Sequence, residues 1–129
     1  MNKQSTILLV DDDTTFLETT KIALENNYNI ITATNGSECL EIIKTGKPNL
    51  IILDVMMSHL GEGINVAREI KTREETKDIP IIMLTGVDKV YDMSTQIDKS
   101  QYSHSELWLE KPIDNEQLLK EVETILARK

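Results

Sequence analysis

With a single cysteine, Cys39, the chain can form no internal disulfide, and the expected compartment is the reducing cytoplasm. Only five glycines and three prolines occur in 129 residues, 40% of which are apolar. That excludes a disordered tail and implies one globular domain able to bury about two-thirds of its unfolded surface. Long hydrophobic runs are missing too: Met1–Thr6 leads into only Ile7-Leu8-Leu9-Val10. This is far short of a signal peptide's apolar region or a membrane span, so neither is expected. Basic residues are in deficit, 14 Lys and Arg against 22 Asp and Glu, for a net charge of -8. They are scattered rather than gathered into a patch, which disfavours direct binding to nucleic acid.

What is present is an acidic run, Asp11-Asp12-Asp13, directly behind the first apolar stretch. Two carboxylates about 4 Å apart repel by roughly 1 kcal/mol in bulk water and about 4 kcal/mol at the effective dielectric near a protein surface. Such a cluster needs a compensating cation or plain solvent.

Short apolar runs recur at Ile7–Val10, Ile30–Ala33, Leu50–Leu53, Ile79–Leu84 and Leu107–Leu109. Most are continuous rather than alternating, as in strands covered on both faces. Helical periodicity predicts helices over Thr15–Glu25, Ser37–Lys44, Ile64–Arg73, part of Asp88–Lys99, and Asn115–Ala127. The last has the clearest start, with Asp114 as N-cap, Gln117 three residues on, and Ile113 placed to staple onto Leu118. Its stripe of Leu118, Val122, Ile125 and Leu126 provides a face to bury. Gly46 and Pro48 punctuate the end of the second helix. Five strands alternating with five helices predict an α/β domain with a parallel sheet.

In such sheets ligands bind outside the carboxyl ends of the strands. Asp11 and Asp12 follow the first predicted strand, Asp54 the third, Thr85-Gly86 the fourth and Lys111-Pro112 the fifth. Carboxylates, a hydroxyl and an ammonium on one edge suit a hard divalent cation together with a phosphoryl group. Each residue taken singly has a plainer reading. An aspartate run after a strand is often a solvated turn or helix cap, Asp54 a strand terminator, Thr85 a β-former, and Lys111 a surface residue. Their coincidence at the ends of four strands outweighs those readings. Cys39 is expected to be structural, and His59 and His104 lack metal-ligand spacing.

The segments ILLVDDD (7–13), LIILDVMM (50–57), PIIMLTG (80–86) and LEKP (109–112) resemble the receiver domains of bacterial two-component response regulators. The resemblance covers the chain, residues 1–129, as a single receiver domain. It implies a flavodoxin-like doubly wound sheet in strand order 2-1-3-4-5. It further implies that Asp54 accepts a phosphoryl group from a sensor histidine kinase or phosphotransfer protein. Asp12, Asp54 and the backbone carbonyl of Met56 would ligate Mg²⁺, with Asp11 holding it through water. Lys111 would pair with phosphoryl oxygens, and Thr85 and the Gly86 amide would engage them. Trp108 would follow Thr85 inward as a switch, while Asp13 would start the first helix. A stand-alone receiver is expected, since the chain stops at Arg128-Lys129 after the last helix. Its output would then be binding to a downstream protein, and it would not be an enzyme.

Asp11-Asp12-Asp13-Thr14-Thr15 also fits the D-x-D-x-T nucleophile motif of haloacid-dehalogenase-like phosphohydrolases, with Asp11 as nucleophile. Those enzymes need a further acidic pair after another strand and a cap domain, and they leave Asp54 unexplained. Departures from the receiver pattern are also present. Ser58 replaces the usual proline, and Leu60-Gly61-Glu62-Gly63 is one residue longer than usual, so two glycines are expected to loosen that loop. The stretch from Thr85 to Lys111 is longer than in most relatives, and Ser94–Glu106 is polar. Common receiver dimers are therefore not expected, and the chain should be a monomer or weak dimer. Met56 and Val87 stand where polar side chains orient the hydrolytic water in fast members of the family. The phosphoryl state should then last minutes rather than seconds, which its half-life in Mg²⁺ would test.

Overall fold

The computed structural model describes residues 5–55, 62–86 and 107–127. Its sheet contains β1 (Thr6–Val10), β2 (Asn29–Ala33), β3 (Leu50–Asp54), β4 (Ile81–Gly86) and β5 (Leu107–Lys111). The strands lie in the order β2-β1-β3-β4-β5, and every neighbouring pair is parallel. Around it pack α1 (Thr14–Leu24), α2 (Gly36–Thr45), α3 (Glu62–Thr72) and α4 (Asn115–Ala127). The helix expected within Asp88–Lys99 lies outside the described residues, as does the polar segment Ser94–Glu106.

The continuous apolar runs are explained by burial on both sides. Side chains alternate across a strand, so Leu8, Val10, Ile51, Leu53, Ile81 and Met83 pack with Cys39 and Ile43 of α2 and with Val66, Ala67 and Ile70 of α3. On the other face, Ile7, Leu9, Leu50, Ile52, Ile82 and Leu84 meet Leu17 and Leu24 of α1 and Leu118, Val122 and Ile125 of α4. Each such side chain taken fully from water contributes about 1.5–3 kcal/mol. β2, one of the two outer strands of the described sheet, leaves Ile31 40% exposed.

Three strands run further than the apolar pattern predicts. Asp54 pairs with Leu84, Thr85 with Glu110, and Gly86 with Lys111. Ladder pairing carries these polar residues into the strands, where they form the final residues rather than the loops beyond. β4 begins at Ile81 rather than Ile79, after Pro80, which has no N–H for a ladder bond.

Helix starts follow their caps. The Asp13 carboxylate accepts the Thr15 and Phe16 N–H groups at 3.1 and 3.2 Å, so α1 opens at Thr14, one residue earlier than expected. Asn35 caps α2 through the Glu38 N–H at 2.8 Å, while the Glu38 carboxylate accepts from the Thr34 N–H at 2.6 Å. Asp114 opens α4 as its sequence signal implied, accepting the Glu116 N–H at 3.2 Å. Among the described residues no helix is long and apolar enough to cross a membrane.

Candidate functional site

Parallel strands all release their carboxyl ends at one edge, so the polar residues at or just past the ends of β1, β3, β4 and β5 converge there. Asp11 is the first residue past β1 and is held by its backbone, whose N–H donates to the Ala33 carbonyl at 3.1 Å. Its Oδ1 accepts the Asp13 N–H at 2.9 Å, which fixes the carboxylate and turns Oδ2 toward the Lys111 ammonium, its ion-pair partner. Asp54 ends β3 with 2% of its surface exposed, and its Oδ2 lies 3.9 Å from Lys111 Nζ. Asp12 is exposed, yet one carboxylate oxygen from each of Asp11, Asp12 and Asp54 lies within 4.8 Å of the others.

Charge balance at this edge is unequal. Among the described residues, the carboxylates of Asp11, Asp12 and Asp54 gather about one ammonium, that of Lys111, which pairs with Asp11 and Asp54. Buried charges of one sign are costly unless compensated, so the cluster retains a demand for positive charge. The donors are all hard oxygens, the set that Mg²⁺ or Ca²⁺ prefers, and a shared cation can take one oxygen from each residue.

Thr85 is 1% exposed, and its Oγ1 has no hydrogen-bond partner among the described residues. A buried hydroxyl without a partner is costly, and it is available to a ligand oxygen. Gly86 stands beside Lys111 in the β4–β5 register. Lys111 precedes Pro112 through a cis peptide bond. Trp108, opposite Met83, is half-buried and packs against the core on the α2 and α3 face. Met56, whose carbonyl was expected to be a ligand, lies outside the described residues, as do Val87, Ser58, His59 and His104.

Three contributors escaped the sequence reading. Gly63 was expected to loosen a loop; it is instead the second residue of α3 and buried. A Cβ there would stand 2.1 Å from the Asp54 carbonyl oxygen and 2.7 Å from Val55 Cα, and the Gly63 N–H donates to the Val55 carbonyl at 2.9 Å. Glycine is required because the backbones touch, a reason that only the packing reveals. The preceding Glu62 accepts the Gly36 N–H at 2.9 Å and so joins the starts of α2 and α3. Phe16 lies beneath Lys111, with its ring centroid 4.4 Å from Nζ.

The strand order, parallel pairing and helices on both faces define a flavodoxin-like doubly wound domain with an acidic carboxyl edge. Residues 7–123 match the response regulator receiver domain, and the chain belongs to that family. It is 33% identical over 123 residues to response regulator MprA of Mycolicibacterium vanbaalenii, a match covering 95% of this chain and 50% of that protein. It is 34% identical over 129 residues to the alkaline phosphatase synthesis transcriptional regulatory protein PhoP of Bacillus subtilis, covering 99% of this chain and 50% of that protein. The chain thus spans about half the length of the curated relatives it matches. A response regulator receiver domain protein from Clostridium thermocellum superposes with a TM-score of 0.79 at 26% identity, covering 96% of this chain and 95% of the other. The receiver domain of a signal transduction histidine kinase from Syntrophus aciditrophicus gives 0.78 at 27%, covering 95% and 90%. The protein is a two-component signalling receiver, and the phosphohydrolase alternative is not favoured.

Proposed function

We propose that Asp54 is the phosphoacceptor of this receiver. The observation that carries the reading is the buried Asp54 carboxylate beside Lys111, at a strand edge that also gathers Asp11 and Asp12. An Asp54 oxygen attacks the phosphorus of a phosphohistidine on a sensor histidine kinase or phosphotransfer protein. The P–N bond breaks, its electron pair leaves with the imidazole, and an acyl phosphate forms on Asp54.

Mg²⁺ held by Asp12 and Asp54, with Asp11 acting through water and the Met56 carbonyl completing the set, would offset negative charge on the transferred group. Lys111 pairs with the phosphoryl oxygens as a compact point charge. The Thr85 hydroxyl, buried without a partner among the described residues, donates to another oxygen, and the Gly86 N–H assists. Trp108 then shifts with Thr85, so that one of two conformations binds a downstream protein better.

The domain, taken as residues 1–129, is consumed by phosphorylation and renewed when water attacks phosphorus and releases inorganic phosphate from the Asp54 acyl phosphate, rather than turning over an external substrate. It works in the cytoplasm as a monomer or weak dimer.

The test is incubation with acetyl phosphate and Mg²⁺, followed by peptide mass spectrometry. A single added phosphoryl group on Asp54, absent from Asp54→Ala, is expected. Label on Asp11 would overturn the assignment.

A further inference from the structure

Phe16 and Lys111 meet across the site from opposite ends of the chain. Phe16 lies in the first turn of α1, its N–H held by the same Asp13 carboxylate that caps the helix, 3.2 Å away. Its ring is partly buried and packs against the core cluster that contains Ile7, Leu9 and Leu17. Over that face lies Nζ of Lys111, 4.4 Å from the centroid. The same ammonium contacts Asp11 and stands 3.9 Å from Asp54, while 21% of the lysine side chain remains open to solvent. The ammonium is therefore bounded by two carboxylates and one aromatic face.

The aromatic side of this enclosure is chemically distinct from the acidic sides. A ring attracts a cation through its quadrupole, but it adds no formal charge to an edge already rich in carboxylates. Nor does it offer an oxygen that would compete with an incoming phosphoryl group for the lysine protons. A lysine ends in a flexible stem whose freedom costs free energy to restrict. A third carboxylate would restrain it at the expense of its charge, and an aliphatic side chain would fill the space without attracting it.

We propose that Phe16 is a positioning residue for Lys111, holding the ammonium where the phosphoryl oxygens of phosphorylated Asp54 will lie. The inference rests on the phosphoacceptor reading above. It assigns to the first turn of α1 a part in phosphoryl acceptance that no acidic or hydroxyl residue there supplies.

Phe16→Leu, which keeps apolar volume and removes the aromatic face, tests it against Phe16→Tyr, which keeps the face. Initial rates of Asp54 labelling by acetyl phosphate in Mg²⁺ should fall about three- to tenfold in the leucine variant and stay within about twofold in the tyrosine variant. Proton NMR of the unphosphorylated proteins adds a readout that a merely structural role would not move. The Lys111 ε-methylene protons should be shifted upfield by the ring in wild type and Phe16→Tyr, and released toward ordinary values in Phe16→Leu. Phe16→Met serves in place of the leucine variant should that one fail to fold. A leucine or methionine variant labelled as fast as wild type, or a tyrosine variant as slow as leucine, would overturn the proposal. Wild-type protein that takes no label on Asp54 would overturn the phosphoacceptor reading, and the inference with it, and is distinguished by the absence of any rate to compare.

Discussion

The layer of α2 and α3 holds Asp54 by its backbone, whereas the layer of α1 and α4 meets Lys111 through a side chain. On the first face, the Gly63 position has backbone atoms of Asp54 and Val55 within 3 Å of where a Cβ would stand, and Glu62 ties α3 to the start of α2. On the second, Lys111 leans on the ring of Phe16 and keeps part of its stem in solvent. Backbone contact at van der Waals limits leaves no room to adjust, because packed interiors transmit a displacement instead of absorbing it. A cation over a ring is held by an attraction of about 0.5–2 kcal/mol, enough to keep the ammonium at the site yet let it turn toward an arriving oxygen. A site that accepts a group and then responds to it is well served by one immovable reactant and one adjustable partner.

The largest effect should come from filling the rigid side. Gly63→Ala should destabilise the domain by about 1–3 kcal/mol in urea unfolding, and it should remove most Asp54 labelling even where the protein remains folded. Near-normal stability and labelling would show that α3 can shift, and the contrast between the two faces would collapse.

An intermediate effect is expected at the seam between the faces, where Asp11, Asp12 and Asp54 gather beside Lys111. Mg²⁺ at ten times its Kd should stabilise the native state by about 1.4 kcal/mol, raising Tm by several degrees relative to chelator. Identical melting curves would argue against a cation at this edge.

The effect that is absent at neutral pH and appears only in alkali concerns how tightly the α2 and α3 layer is closed. Burial pushes the Cys39 thiol up from 9.0 to about 12. Its neutral form therefore favours the folded state, fully so below pH 9, and that contribution is lost as pH rises from 9 toward 12. Unfolding measured across this window should show a steeper alkaline decline for wild type than for Cys39→Ala. Equal slopes would mean that water reaches α2 more easily than the packing implies.

How much of this was legible before folding depends on the range of each interaction. Continuous apolar runs identified all five strands, because burial on both faces leaves a local compositional mark. Asp114 and Asn115–Ala127 were readable because a cap and a 3.6-residue stripe lie within a few positions of one another. The candidate site was readable as a set of strand-end residues. The strand boundaries at Asp54, Gly86 and Lys111 were not, since their pairing partners lie on other strands.

By itself, then, the sequence determined the five strands, the four described helices and an acidic edge with Asp11, Asp12, Asp54 and Lys111 on it, since periodicity, capping and residue chemistry are properties of short segments. Only the tertiary structure decided that Gly63 must be glycine, that Glu62 reaches Gly36, and that Lys111 settles between Asp11 and Phe16. Asp11 and Lys111 are 100 positions apart. Their meeting depends on β1, β3, β4 and β5 pairing in that order, and a contact set by sheet closure leaves no local trace in the chain.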